Sequence, residues 1–245
     1  MSRRSDDRRV ALVTGANRGI GLAVCRQLAE RGVVVLLGAR DAASGDAAAR
    51  TLQADGMEVR PIVIDTDHRE TFDAAREAIE REFGKLDILV NNIGIGCDWA
   101  YTAANVPMPL LRNTFEINFF SVVELTQRLL PLVRKSPAGR IVNQSSAIGS
   151  LAGHATPESW AMGDRPLAYS ASKTALNAFT VHLACALRDT PIKVNAAHPG
   201  IVKTDPNPNG LITPEEGART SVALALLPDD GPTGGFFHLG EAVPW

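Results

Sequence analysis

The chain has 245 residues, with 45% hydrophobic and 21% charged side chains and a formal net charge of −2. That length and composition suit one packed domain and exclude gross disorder, and the charge excludes a broad electrostatic footprint for nucleic acid. Cys25, Cys97 and Cys185 are far apart and odd in number, which excludes CxxC-type spacing. No histidine recommends itself as a metal ligand, so no metal is expected.

Residues 1–9 are polar and charged and are expected to form a disordered N-terminal segment, with a single domain over residues 10–245. The apolar run Val10–Val13 is too short for the core of a signal peptide. No run approaches the ~18–20 residues of a membrane span, so a cytoplasmic protein without a membrane partner is expected.

A buried strand is expected over 10–14. A helix over 20–31 follows, with Ile20, Val24, Leu28 and Ala29 on one apolar stripe, ended by Gly32. Next come a strand over 33–37, a helix over 42–54, strands over 59–64 and 86–90, and an intervening helix over 69–83. One long helix is expected over 109–133, then a strand over 140–143, a helix over 167–188 and a strand over 193–196. Thr213-Pro214-Glu215-Glu216 supplies an N-cap, an N1 proline and an acidic first turn for a helix over 215–227. A last strand falls over 235–239. This alternation specifies an α/β fold, a single-domain Rossmann-like doubly wound parallel sheet with helices on both faces. The loops over 93–107, 149–166 and 205–213 all follow strands, so they belong at the crevice beyond the carboxyl ends of the sheet.

Thr14-Gly15-Ala16-Asn17-Arg18-Gly19-Ile20-Gly21 joins the first strand to the first helix. Its spacing is Gly-x3-Gly-x-Gly rather than GxGxxG. The glycines permit a tight turn against a pyrophosphate, and the helix start offers unpaired N–H groups. After the second strand, an NAD-selective site places an acid to accept from the ribose 2′-OH. Ala39 occupies that place here, with Arg40 next. Arg40 can form a charge-assisted fork with a 2′-phosphate, and Arg18 can reach the same group, so NADPH is expected over NADH. Asp41 reads either as the cap of the following helix or, with a two-residue shift, as the ribose acid.

Tyr169 and Lys173 are four residues apart and share a helix face. Carbonyl reduction needs a proton donor for oxygen, and a tyrosine with a pKa near ~10 serves if an ammonium stabilises its phenolate.

With TGxxxGIG at 14–21, NNxG at 91–94, Ser145-Ser146, YxxxK at 169–173 and PGxVxT at 199–204 in one order, the chain resembles the short-chain dehydrogenase/reductase family. The likeness is to its non-extended branch and covers essentially everything from Val10. The carbonyl-reductase-like subgroup is favoured by the stretches 213–218 and 231–237. The resemblance implies an NADP(H)-dependent reductase of a ketone, aldehyde or quinone. Ser146 would bond the carbonyl oxygen, with Ser145 as the alternative. Tyr169 would deliver the proton. Lys173 would tune Tyr169 and hold the nicotinamide ribose, and Asn118 would position a relay water. Gly15, Asn17, Arg18, Gly19, Ile20 and Arg40 would bind the cofactor. Asp65 and Thr66 would meet the adenine, Asn92 would line the channel, and Val202 and Thr204 would fix the carboxamide.

Two departures stand out. Ile93 replaces the usual alanine. The segment 147–168, with His154, Trp160 and Met162, is longer than is common and leaves either a monomer or a homo-oligomer open. The expected partner is a small carbonyl substrate. The alternatives are an NADP-dependent secondary-alcohol dehydrogenase and a nucleotide-binding regulatory or scaffold protein, the latter marked by loss of Tyr or Lys.

Overall fold

Successive strand residues feed two separate apolar layers. In β1 (Val10–Val13), Ala11 and Val13 face one layer while Val10 and Leu12 face the other. That period-two division is why β1 reads as a continuous apolar run. The computed structural model describes residues 8–155 and 166–245. Residues 1–7, Trp160 and Met162 fall outside them. The segment expected to be disordered through residue 9 is anchored at its end: Arg8 pairs with Glu58, and the Arg9 carbonyl accepts from Val34 N at 2.9 Å.

The first half runs α1 (Gly19–Ala29), β2 (Val34–Ala39), α2 (Ala42–Ala54), β3 (Val59–Val63), α3 (Glu70–Phe83) and β4 (Ile88–Asn91). The second runs α4 (Met108–Phe115), a π-helical turn (Glu116–Phe120), α5 (Ser121–Val133), β5 (Arg140–Gln144), a 3-10 turn (Ala147–Gly149) and α6 (Leu151–His154). It ends with α7 (Leu167–Ala186), β6 (Lys193–Ala197), α8 (Pro214–Ala225), β7 (Phe236–His238) and β8 (Glu241–Ala242). The eight-stranded sheet has the order β3-β2-β1-β4-β5-β6-β7-β8. All neighbours are parallel except β7 and β8.

One layer packs Val24, Leu28, Leu52 and Val222 against the sheet. The other packs Phe72, Ile79, Leu125, Leu129 and Leu187. Helices thus cover both faces. Strand order reverses direction between β1 and β4, and the chain leaving these two strands must diverge. That splay opens the crevice in which the candidate site lies.

Local chemistry explains several boundaries. Asp41 caps α2, accepting from Ala43 N at 3.2 Å and Ser44 N at 2.9 Å. Thr213 and Glu216 form a reciprocal capping box at the start of α8. The helix expected over 109–133 is instead divided by the π-helical turn. Its widened ring accommodates Asn118, which points inward and is fully buried. Hairpin strand β8 was not expected; the helical and strand periods give a two-residue element no signal.

Candidate active site

Gly15 and Gly19 have φ of +60° and +56°, left-handed values that let the β1–α1 loop double back. Gly21 is needed for space instead. A Cβ there would lie 2.6 Å from both Gly15 O and Asn92 Nδ2. Asn92 ties this loop to β4, its amide donating to the carbonyls of Thr14 at 3.0 Å and Gly15 at 3.1 Å. Thr14 Oγ1 in turn accepts from Asn92 N at 3.0 Å. The loop is therefore held in shape before any ligand arrives.

A cleft of about 770 Å³ opens above it. Gly15, Asn17, Arg18, Gly19, Ile20, Arg40, Thr66, Asn92 and Thr204 all line it, together with Ser44, Ile93 and Lys203. Its charged lining consists of Arg18, Arg40 and Lys203 with Asp41 and Asp205. Arg18 is 2.8 Å from Asp205, an exposed pair, while Arg40 has no ion-pair partner among the described residues. Asp41 serves as the α2 cap, and the N–H and hydroxyl of Ser44, then the Ala43 N–H, hold its carboxyl below the usual range. Asp41 also lines the cleft beside Arg40, so the cap and a ligand contact are compatible.

Two expected cofactor residues sit differently. Asp65 is not in the lining of the cleft; its carboxylate closes a local turn by accepting from Asp67 N at 3.0 Å. Thr66 beside it does face the cleft. Val202 is buried against Gly217 of α8 and is outside the lining of the cleft, and its carbonyl accepts from Asn207 Nδ2 at 3.0 Å.

Asn118, Ser146, Tyr169 and Lys173 are not in the lining of the cleft, but two of them lie directly behind Gly94, which is. A Cβ on Gly94 would lie 3.3 Å from Lys173 Nζ and 3.5 Å from Asn118 Oδ1. Ser146 follows β5, and its hydroxyl is close enough to the Tyr169 phenol to act on its titration. Ser145 is turned into the core and donates to Asn177 Oδ1 at 2.6 Å, which separates the two serines. Lys173 Nζ lies 5.6 Å from the Tyr169 ring centroid and donates to the Gln144 carbonyl at 2.8 Å. Burial lowers the Lys173 pKa to about 8. Burial likewise raises the Tyr169 phenol, while the Ser146 hydroxyl pulls it down. In the resting site the effect of burial on the phenol is the larger of the two.

Asn118 joins this group through its side chain. Its Nδ2 donates to Ile95 O at 2.8 Å and Ser172 Oγ at 3.0 Å, and Oδ1 accepts from Ile95 N at 2.8 Å. Both N–H groups are thus committed to clamping the β4–α4 loop against α7. The relay water expected of Asn118 would need its main-chain carbonyl or the second lone pair of Oδ1.

Three neighbours were missed. Gln144 lends its backbone carbonyl, which no side-chain pattern reveals. Asp98 is fully buried and accepts from Ala168 N at 2.6 Å and Tyr169 N at 3.3 Å, so it caps α7 from 70 residues away in sequence. Trp99 follows it, with its ring centroid 5.8 Å from that of Tyr169. Elsewhere, His198 Nδ1 accepts from Ala147 N at 3.3 Å, and burial, then neighbouring His238, lower its pKa to about 4. It is a neutral structural group. Among the described residues no cluster of His, Cys, Asp and Glu is arranged to hold a metal, and no helix is long and apolar enough to cross a membrane.

The model of the short chain dehydrogenase family matches residues 9–209. The chain belongs to the short-chain dehydrogenase family. Carbonyl reductase [NADPH] 1 of Mus musculus is 34% identical over 285 aligned positions, covering 98% of this chain and 100% of that protein. Salutaridine reductase of Papaver somniferum is 34% identical over 298 positions, covering 96% and 95%. Both alignments exceed the 245 residues of this short-chain dehydrogenase, so these relatives carry segments that it lacks. The solved structure of the Papaver somniferum enzyme superposes with a TM-score of 0.81 at 32% identity, over 94% of this chain and 99% of that one. NADPH-bound carbonyl reductase from chicken fatty liver superposes with a TM-score of 0.84 at 26% identity, over 97% and 99%.

Proposed function

We propose that this protein reduces the carbonyl group of a small ketone, aldehyde or quinone with NADPH, and that Tyr169 supplies the proton. The observation that carries the reading is the buried Lys173 ammonium 5.6 Å from the Tyr169 ring, next to Gly94 of the glycine-floored cleft. The NADPH named for the mouse and chicken relatives supports the cofactor.

The residues present fit that cofactor. The space a Cβ on Gly21 would fill is already taken, so the loop presents bare backbone N–H groups at the start of α1, suited to a pyrophosphate. Asn17, Gly19 and Ile20 would hold it. Arg40 and Arg18 would hold the 2′-phosphate, and Ser44 adds a hydroxyl at the same end. Thr66, and Asp65 through its backbone, would flank the adenine. Thr204 and the main chain of Val202 would orient the carboxamide. When bound, NADPH supplies hydride to the carbonyl carbon.

The chain's own groups manage the oxygen. Ser146 donates a hydrogen bond to it and fixes its distance from Tyr169. The phenol, kept protonated by burial, gives its proton as negative charge develops on that oxygen. Lys173, still an ammonium at neutral pH, stabilises the phenolate as it forms rather than beforehand. The Gln144 carbonyl holds the ammonium in place. The same groups run in reverse for a secondary alcohol.

The first test is NADPH consumption with a panel of ketones, aldehydes and quinones. Turnover with at least one class is expected; binding of NADPH without turnover of any would overturn the reading. Two further results are expected. Gly21→Val should weaken NADPH binding at least ~10-fold by calorimetry, because a side chain there must displace the Gly15 carbonyl that shapes the loop. At saturating NADPH, kcat/KM should fall as pH rises through about 8, where Lys173 loses its proton and can no longer stabilise the phenolate. A profile flat to pH ~10 would remove Lys173 from the proton step.

A further inference from the structure

Trp99 is a large aromatic side chain left 54% exposed, and it stands beside Tyr169. Exposed aromatic surface is ordinary when scattered. This indole, however, is fixed on three sides. Its Nε1 donates to the Gly96 carbonyl at 3.1 Å, which sets the plane of the ring. Gly96 is wedged between the two rings: a Cβ there would lie 3.2 Å from Trp99 Nε1 and 3.3 Å from Tyr169 Cδ2. Asp98, the preceding residue, spends a fully buried carboxylate on the N–H groups of Ala168 and Tyr169. The turn carrying the indole is thus fastened to the first turn of the helix that carries the phenol. Their centroids are 5.8 Å apart with planes inclined at 38°. A carbonyl whose oxygen reaches the Tyr169 hydroxyl must place its substituents near that phenol, and an exposed ring centred 5.8 Å from the phenol's is within reach of them.

We propose that Trp99 is a specificity-determining wall that favours carbonyls borne on a flat aromatic ring over those borne on a puckered saturated ring, with Asp98 as its positioning residue. The proposal rests on carbonyl reduction at Tyr169. A planar ring gains offset or tilted stacking against the indole in addition to burial, and a saturated ring gains burial alone.

Acetophenone and cyclohexyl methyl ketone differ mainly in that respect. In Trp99→Ala the ratio of kcat/KM for acetophenone to that for cyclohexyl methyl ketone should fall roughly tenfold. Trp99→Phe should restore most of it. Asp98→Asn, which keeps an acceptor oxygen but loses the charge, should move the ratio part of the way. A second readout needs no turnover. Calorimetry of acetophenone binding to the NADP+-loaded protein should show a similar weakening in Trp99→Ala, with the NADP+ dissociation constant itself unchanged. A ratio and an affinity both within twofold of the parent protein would overturn the proposal. So would a Phe variant no better than Ala. Carbonyl reduction fails as a reading only if the parent turns over no carbonyl of the wider panel, and in that case the binding measurement still decides the role of Trp99.

Discussion

Tyr169→Phe is expected to lower kcat by about 10²–10⁴-fold, the range over which a positioned general acid acts. The substitution removes one oxygen and leaves the ring that packs against Trp99 and Gly96. The Asp98 bond to the backbone N of residue 169 is also untouched. NADPH affinity and thermal stability should therefore stay close to those of the parent. An equal loss in NADPH affinity would mean that the phenol chiefly serves binding. Ser146→Ala should act in the same direction but less severely, because it loosens the oxygen without removing the proton.

Arg40→Ala carries the second large effect. Arg40 is exposed, lines the cleft and has no ion-pair partner among the described residues, so its guanidinium is available to a 2′-phosphate. A hydrogen bond to a charged group contributes about 1.5–3 kcal/mol. The NADPH dissociation constant should accordingly rise ~10–100-fold, with a change below ~3-fold for NADH. Equal losses for both cofactors, measured by fluorescence or calorimetric titration, would assign selectivity elsewhere. Arg18 is the informative contrast. It is engaged with Asp205 at 2.8 Å and must leave that pair to meet a phosphate, so Arg18→Ala should cost less than Arg40→Ala.

What could be read from the sequence was what depends on neighbours along the chain. The period-two and helical patterns located the strands and most helices. Thr213 with Glu216 announces a helix start, and Asp41 offers a cap that the structure contains. The glycines of the β1–α1 loop carry backbone demands that side chains cannot meet. What escaped was long-range. Asp98 lies in a loop and reads locally as a solvated acid, yet it is buried under α7. The π-helical turn has no signature in apolar periodicity, since it arises from one residue's worth of extra backbone around Asn118. The choice between Ser145 and Ser146 depended on which serine the end of β5 turns outward. The balance of effects on the Tyr169 phenol is a related case. Spacing places an ammonium near the phenol, but it says nothing of the desolvation that acts on both groups.

The central claim is hydride transfer to a carbonyl carbon in this site, and one labelling measurement tests it most directly. The protein would be incubated with a ketone and NADPH carrying deuterium on the transferred position of C4, and the alcohol analysed by mass spectrometry and NMR. The account predicts one deuterium on the carbinol carbon per NADPH consumed, with no labelled alcohol above background from Tyr169→Phe over the same interval. NADPH consumption without deuterium on that carbon, or labelled alcohol formed equally well by Tyr169→Phe, would contradict it.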